Sequence, residues 1–499
     1  MPDATPVSPT APIAPIRLAD PLAAHVVAHS PPPPAWLDDA IDAILDVLLE
    51  VQRRNPAAFR QQPLRLSSAR DARWPVSATG IDWPALVRCV ARLCEIDVVE
   101  SAQGVTADGV ATLLADACRD VSLRHGIAAA QDAPSSESPR IAARLPDESG
   151  FNQAEPVRMR VAARLADEAS RAAPRYLDLP DLDRVTTASG QPYLRYRRGA
   201  TPVLLLNAFG MPHDVWSRFA AALPDDHAVY LFDDADSGGG DAGFTRVYYA
   251  TPDAPARFAH AVRELMANES LDSLHLVSWC GGVRYALELA RTLPGRIASM
   301  SFLAPSFAGA AAGVGQDSAY ETNLHTMAKL VNRMPQAANS MAESMRALLD
   351  KQAAPGAASD DAALFSQPDA NTRHWLGAPF ASASNMVEYS RQLAAFREHA
   401  VETSIGPALG PVPCLLITGE YDEMTSAARA HDLCDGFANV QRFVLRFGAH
   451  QMIHQNAALL AAFVSAFIAT GDTPSPLPSR VVRSETEKTR PDDVETGEL

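Results

Sequence analysis

Positive charge is scarce in this sequence: 43 Lys and Arg stand against 59 Asp and Glu, for a formal net charge of -16. A balance so acidic argues against nucleic acid and against an anionic membrane surface as partners, since both bind through clustered Lys and Arg. The sequence also lacks any run of about eighteen apolar residues, the least that would suggest a membrane span. Its opening, MPDATPVSPTAPIAPIRLAD, has no basic start followed by an apolar stretch, so no secretory leader is expected. The six cysteines (Cys89, Cys94, Cys118, Cys280, Cys414, Cys434) show no metal-ligand spacing. They read as reduced thiols in a cytoplasmic protein, with no metal and no cofactor expected. What the chain does have is 47% apolar residues over 499 positions. That is ample for a core, in a chain longer than one core usually supports, so two domains plus tails are expected.

Residues 1–34 are rich in Pro and Ala and end in Pro31 to Pro34, a composition that favours extended conformations and cannot bury a core. A disordered lead is expected there. From residue 35 to 123 the pattern is helical: Ile41, Ile44, Leu45 and Leu48 share one face, and Leu86, Val90 and Leu93 share another beside Val87 and Cys94. Periodicity is lost over 124–160, which reads as a linker. A helix over Arg158 to Ala172 leads into a second domain, 161–470, that opens with a hairpin from Arg184 to Arg198 turning at Ser189-Gly190.

Short apolar strands then alternate with amphipathic helices. The strands are Val203 to Leu206, Ala228 to Phe232, Ser273 to Val277, Ala298 to Leu303, Pro413 to Thr418 and Gln441 to Arg446. This alternation predicts a mostly parallel sheet with helices on both faces, its ligand site along the edge where strand ends converge. The insertion from 307 to 410, with helical stretches at Tyr320 to Met334 and Met341 to Lys351, reads as a lid; the alternative is a surface subdomain with no part in the chemistry. Residues 471–499 are polar, and disorder is expected.

Between the apolar run at His275 to Val277 and a helix carrying Ala286, Leu289, Ala290 and Leu293 lies Ser278-Trp279-Cys280-Gly281-Gly282. Strand, sharp turn and helix around a central nucleophile, with small residues at the crowded positions, form a nucleophile elbow with cysteine in place of serine. At a helix N-terminus the unpaired N–H groups favour the reactive thiolate. The plainer reading is a buried small apolar residue. A cysteine nucleophile needs a base, and the base an orienting acid. Two later strands run into Gly419-Glu420-Tyr421-Asp422 and Phe447-Gly448-Ala449-His450, and an earlier one into Asn207-Ala208-Phe209-Gly210, followed by Trp216.

Taken in that order, residues from about 180 to 470 resemble an α/β-hydrolase. The resemblance implies a triad of Cys280, Asp422 and His450, with Glu420 and Glu423 as nearby competitors for the acid and His454 as runner-up for the base. It implies an oxyanion hole from the backbone N–H groups of Gly281 and Phe209, although Asn207-Ala208 departs from the family's His-Gly. No carboxylate occupies the alternative acid position at Ala304-Pro305-Ser306. The stretch DADSGGGDAG resembles the family's Asp-x-x-Gly-x-Gly turn more loosely; without a following Lys-Ser or Lys-Thr it is no phosphate loop, and Gly238 to Gly240 read as a surface turn.

Gly80 to Cys118 resembles the second half of an acyl carrier domain, in which a Gly-x-Asp-Ser-Leu site precedes an amphipathic helix. Here Trp83, followed by Pro84, holds the serine position. No phosphopantetheine arm could be attached, so the segment is a carrier-like docking module or a plain helical domain.

A thiolate attacking an oxygen ester makes a higher-energy thioester, whereas attack on a thioester exchanges like for like. The expected partner is therefore an acyl thioester, on coenzyme A or presented by a carrier protein. The expected activity is acyl transfer or thioester cleavage through acyl-Cys280, and the sequence leaves the acceptor and the oligomeric state open. Cysteine elbows occur in thioesterase domains of polyketide and nonribosomal peptide assembly, which the carrier-like segment favours. They occur too in polyhydroxyalkanoate synthases, the alternative, and in the smaller dienelactone hydrolases. A non-catalytic scaffold is the reading from a different class.

Overall fold

The computed structural model describes residues 35–54, 76–77, 80–81, 90, 106–125, 176–208, 210–232, 254–310, 316–352, 370–398, 411–446, 448–474, 477–478 and 480–484. Helix α1 (Ala35–Arg54) buries Leu37, Ile41, Ile44, Leu45 and Leu48, whose spacing puts them on one face. That face packs on α2 (Thr106–His125), which supplies Leu113, Cys118 and Val121. Between them, β1 (Val76–Ser77) pairs antiparallel with β2 (Gly80–Ile81). Trp83, Cys89 and Cys94, and the expected lead and linker, lie outside the described residues.

The helical pair docks against the larger domain through buried charge. Glu50, 4% exposed, accepts hydrogen bonds from Asn456 Nδ2 at 2.8 Å and Arg480 Nη1 at 3.1 Å. Asp116 accepts one from Arg446 Nη1 at 3.1 Å. Removing one member of such a pair strands the other charge in the interior, which costs about 3–5 kcal/mol. Glu50→Ala is accordingly expected to destabilise the chain by about 3 kcal/mol, read as a lower urea midpoint; a change under about 0.5 kcal/mol would mean that the docking is energetically idle.

Among the described residues the main sheet has nine strands, in the order β11-β10-β9-β8-β7-β5-β6-β4-β3. They are β3 (Leu182–Thr186), β4 (Pro192–Tyr196), β5 (Thr201–Leu206), β6 (His227–Phe232), β7 (Leu274–Trp279), β8 (Ile297–Leu303), β9 (Cys414–Gly419), β10 (Val440–Leu445) and β11 (Val481–Arg483). Strands β5 through β10 run parallel, and antiparallel partners flank them at both edges. Alternate residues feed alternate cores: Leu204, Leu206 and Leu276 pack on one face, Val203, Leu205 and Val277 on the other. Both faces are thus buried, as a parallel sheet requires.

Helices α4 (Ala254–Asn268), α5 (Val283–Thr292) and α10 (Ala427–Cys434) cover the first face. The second is covered by α3 (Ser217–Ala222), α11 (Met452–Gln455) and α12 (Ala457–Thr470). The insertion after β8 folds as α6 (Ala319–Arg333), α7 (Ala338–Gln352), α8 (Ala370–Gly377) and α9 (Ala383–Glu398).

One expectation is corrected. The segment beyond 470 is not wholly a disordered tail, because Val481–Arg483 adds an antiparallel strand to β10. Three residues are too few for a strand pattern to show in sequence. What holds them is the partner strand, together with the buried Arg480 and Val481 beside it. Among the described residues no helix is long and apolar enough to cross a membrane.

Candidate active site

The chain order reverses at β5: β6 pairs on one side of it and β7 on the other. At such a switch point neighbouring strand ends diverge and leave a crevice. Cys280 sits at the end of β7, there. Its φ is +51°, a left-handed conformation that costs a non-glycine residue on the order of 1 kcal/mol or more and must be held by its surroundings. The Cys280 carbonyl accepts the Ser306 N–H at 3.1 Å from the loop after β8. Gly282 permits the turn, because a Cβ there would lie 2.2 Å from the Leu206 carbonyl oxygen of β5. Ser278 takes the place of the elbow's first glycine and is buried, its Oγ donating to Ser301 O at 3.3 Å.

The ends of β9 and β10 are joined in the same way. A Cβ on Gly419 would lie 2.6 Å from Gly448 O, and that oxygen accepts the Tyr421 N–H at 2.8 Å. This contact sets the two loops side by side, and His450 Nδ1 donates to Asp422 Oδ2 at 3.0 Å. Asp422 Oδ1 accepts the N–H groups of Met424 at 2.9 Å and Thr425 at 3.0 Å, and Oδ2 also accepts Thr425 Oγ1 at 2.7 Å. Glu420 and Glu423, the competing carboxylates, are exposed. His454 packs edge-on against Trp375, with ring centroids 4.7 Å apart.

Trp279 has a role that no sequence motif marked. Its Nε1 donates to the His450 carbonyl at 2.7 Å, and its ring lies 5.3 Å from the imidazole. The residue before the cysteine therefore holds both the backbone and the ring of the histidine.

Burial alone would favour neutral forms of the acid and the histidine. For Asp422 it is outweighed by the His450 charge and by the hydrogen bonds from His450 and Thr425, so its carboxyl is held below the usual range. For His450 it is outweighed by the Asp422 charge and by the Cys280 sulfur, which also hydrogen-bonds the ring, so the imidazole keeps its proton well above the usual value.

Cys280, Gly281, Trp279 and His450 line a cavity with about 650 Å³ of empty space, open mouth included. The insertion after β8 forms much of its wall: Tyr320, Glu321 and Leu324 of α6, Leu376 of α8, and Tyr389, Leu393, Phe396 and Arg397 of α9. The insertion is thus part of the site. Its first helix is fixed to the acid loop, since the N-cap Ser318 accepts the Glu321 N–H while its own Oγ donates to Met424 O at 2.8 Å.

Phe209 lies outside the described residues. Its neighbour Asn207 pins the loop after β5: Oδ1 accepts Ala208 N–H at 2.9 Å and Trp216 Nε1 at 3.1 Å, and Nδ2 donates to Met211 O at 2.6 Å. The residue that departs from His-Gly is what ties this loop to Trp216.

Burial pushes the thiols of Cys118 and Cys414 up to about 12, and raises that of Cys434 as well. Cys280 is half-buried at the cavity that His450 also lines. Peptide mass spectrometry after brief iodoacetamide treatment at neutral pH is expected to find Cys280 modified at least about tenfold faster than those three.

No family model and no curated protein matches this sequence. Among solved structures, a membrane phospholipase A described as a bacterial virulence factor is similar over 63% of this chain and 94% of that one, at 19% identity and a TM-score of 0.44. A hydrolase from Oleispira antarctica is similar over 60% and 98%, at 16% identity and a TM-score of 0.43. A thermophilic esterase from Thermogutta terrifontis is similar over 58% and 98%, at 17% identity and a TM-score of 0.40. Strand order, the turn at Cys280 and the loops after β9 and β10 together are those of an α/β-hydrolase fold.

Proposed function

We propose that the chain is a cysteine-dependent acyltransferase or thioesterase that forms an acyl-Cys280 intermediate from a thioester donor, with His450 as base and Asp422 as its orienting acid. The observation that carries this reading is the half-buried Cys280, at a positive-φ turn on the cavity wall that it shares with His450, whose Nδ1 bonds Asp422 Oδ2 at 3.0 Å. In the first step the Cys280 sulfur bonds to the donor's carbonyl carbon. The oxyanion is stabilised by the N–H groups of Gly281 and Phe209, a kind of donor worth about 3 kcal/mol each in the transition state. Collapse breaks the donor C–S bond, and the leaving thiolate takes the proton from His450. Neutral His450 then removes a proton from water, an amine or an alcohol as that group attacks the acyl carbon, and Cys280 departs.

The thiol favours a thioester donor, because exchange between thioesters is near balance whereas forming one from an oxygen ester is uphill. Leu324, Leu393 and Phe396 offer apolar surface for an acyl chain. A pantetheine-type donor, on coenzyme A or on a carrier protein of polyketide or nonribosomal peptide type, suits this chemistry; polymerisation of the kind made by polyhydroxyalkanoate synthases uses the same intermediate.

Intact mass spectrometry of wild type and Cys280→Ala with a panel of acyl-pantetheine thioesters tests the reading. Acyl mass on wild type alone is the expected result, with free acid alongside if water is the acceptor. No adduct and no thioester consumption with any donor would overturn it in favour of a scaffold.

A further inference from the structure

Strand β7, which ends at Cys280, has β5 on one side and β8 on the other. Phe209, the proposed oxyanion donor, follows β5 in the sequence, and Ser306 follows β8. The strand beyond β8 is β9, which leads to Asp422. Ser306 therefore stands on the acid and histidine side of the sulfur, and it shares the cavity wall with Cys280 and His450. An acceptor has to approach on that side, because its proton goes to the imidazole. The backbone fixes Ser306 there, its N–H donating to Cys280 O at 3.1 Å.

A hydroxyl has one hydrogen to donate and two lone pairs. The Ser306 hydrogen goes to Glu321 Oε1 at 2.6 Å, and one lone pair takes the Ala308 N–H at a long 3.4 Å. The second lone pair has no partner among the described residues. Glu321 is buried in the first turn of α6, where it is the carboxylate member of a capping box and accepts the Ser318 N–H at 2.9 Å on its other oxygen. Burial raises its pKa and Asp317 adds to this, against the hydrogen bonds from Ser306 and Ser318 and the charge of His450. The start of a helix also favours the anion. Ionised, with both oxygens accepting, Glu321 keeps the Ser306 hydrogen on itself and leaves a lone pair for the cavity.

We propose that Ser306 Oγ is the second hydrogen-bond acceptor for the attacking group, with Glu321 as its positioning residue, so that the acceptor is water or a primary amine and not an alcohol. The proposal rests on the acyl-Cys280 reading and narrows its acceptor. Two groups on the wall each ask the attacking atom for a hydrogen: neutral His450 and Ser306 Oγ. As the oxygen or nitrogen bonds to the acyl carbon and the bond to the Cys280 sulfur breaks, one hydrogen passes to His450 as a proton. The other stays on the attacking atom, donated to Ser306. Water and a primary amine have both hydrogens. An alcohol has only one, and giving it to His450 leaves Ser306 without a donor.

Acetyl-Cys280 is made in the full chain with p-nitrophenyl acetate, an ester activated enough to acylate a thiol without recognition of a pantetheine arm. Its decay at pH 8 is followed by peptide mass spectrometry, with Cys280→Ala as the blank. The acceptors are water, trifluoroethylamine and trifluoroethanol, the last two matched in size and both uncharged at that pH. In Ser306→Ala, decay in water and the ratio of amine to alcohol transfer are each expected to fall about tenfold, what one hydrogen bond supplies. Ser306→Thr keeps the hydroxyl and is expected to restore part of the ratio. Glu321→Gln is expected to lower it as Ser306→Ala does. Glutamine is at home in a capping box and keeps the Ser318 N–H on its oxygen, but its amide then donates to Ser306 and turns the hydroxyl hydrogen into the cavity. All variants are compared as folded protein, verified by thermal melting. If Ser306 and Glu321 only fasten α6 to the loop after β8, amine and alcohol transfer change together and the ratio stays as in wild type, which overturns the proposal. Wild type that acylates the alcohol at least as fast as the amine overturns it too. The absence of any acetyl on Cys280 is a different failure: it removes the acyl-enzyme reading itself, and this proposal with it.

Discussion

Replacing His450 by glutamine is expected to slow acylation of Cys280 by about 10⁴-fold or more, since removing one member of a triad costs nearly as much as removing all. Glutamine can still bond to Asp422, but it cannot hold and release a proton. The fold is expected to survive, because the bond from Trp279 Nε1 goes to the backbone carbonyl of residue 450 and not to the ring. Alkylation of Cys280 is expected to slow in the same variant, because the positive ring beside the sulfur is gone. Rapid-quench acylation with equal amounts of folded protein makes the comparison. A variant within tenfold of wild type would remove His450 from the chemistry and reopen the case for another base.

Asparagine at position 422 is expected to lower acylation by about 10³- to 10⁴-fold. Its Oδ1 can keep the N–H donors of Met424 and Thr425. The amide, however, then presents N–H groups toward His450 Nδ1, which asks for the opposite tautomer: Nε2, on the Cys280 side, already carries the ring's proton and cannot take another from the thiol or from the attacking group. Charge matters as well. Because the folded-state pKa of Asp422 is depressed, its contribution to stability is present above its unfolded value of about 4 and is lost as pH falls through the folded value. The raised pKa of His450 works in the other direction: its contribution is full below about 6.5 and is lost as pH rises through the folded value. Asp422→Asn is therefore expected to be less stable than wild type at pH 7, with the two curves converging in acid. Urea midpoints at pH 7 and pH 3 decide this; a gap that widened in acid would contradict the buried ion pair.

Much of the architecture was readable in order along the chain. The parallel strands fall within one or two residues of their apolar runs, and the hairpin turns at Gly190, whose φ is +91°. Both follow from short-range rules: strands buried on both faces are apolar throughout, and turns need residues that tolerate their dihedrals. The elbow at Cys280 and the loops at Asp422 and His450 were readable for the same reason, since each is set by a few adjacent residues with glycine where two backbones meet.

What the sequence could not display are the bonds between distant residues. Trp279 and His450 are 171 positions apart, and Asn456 and Glu50 are 406 apart. Strand β11 is held by a partner and not by its own pattern, and the cavity wall depends on where α6, α8 and α9 pack. Amino-acid order by itself determined the alternating elements, the sheet and the three residues carried to its edge, because local sterics and burial periodicity act over a few positions. Only the tertiary structure decided which competitor faces the cavity, that the insertion walls it, and that the N-terminal helices dock beside it, because those outcomes depend on side chains that meet only after the chain has closed on itself.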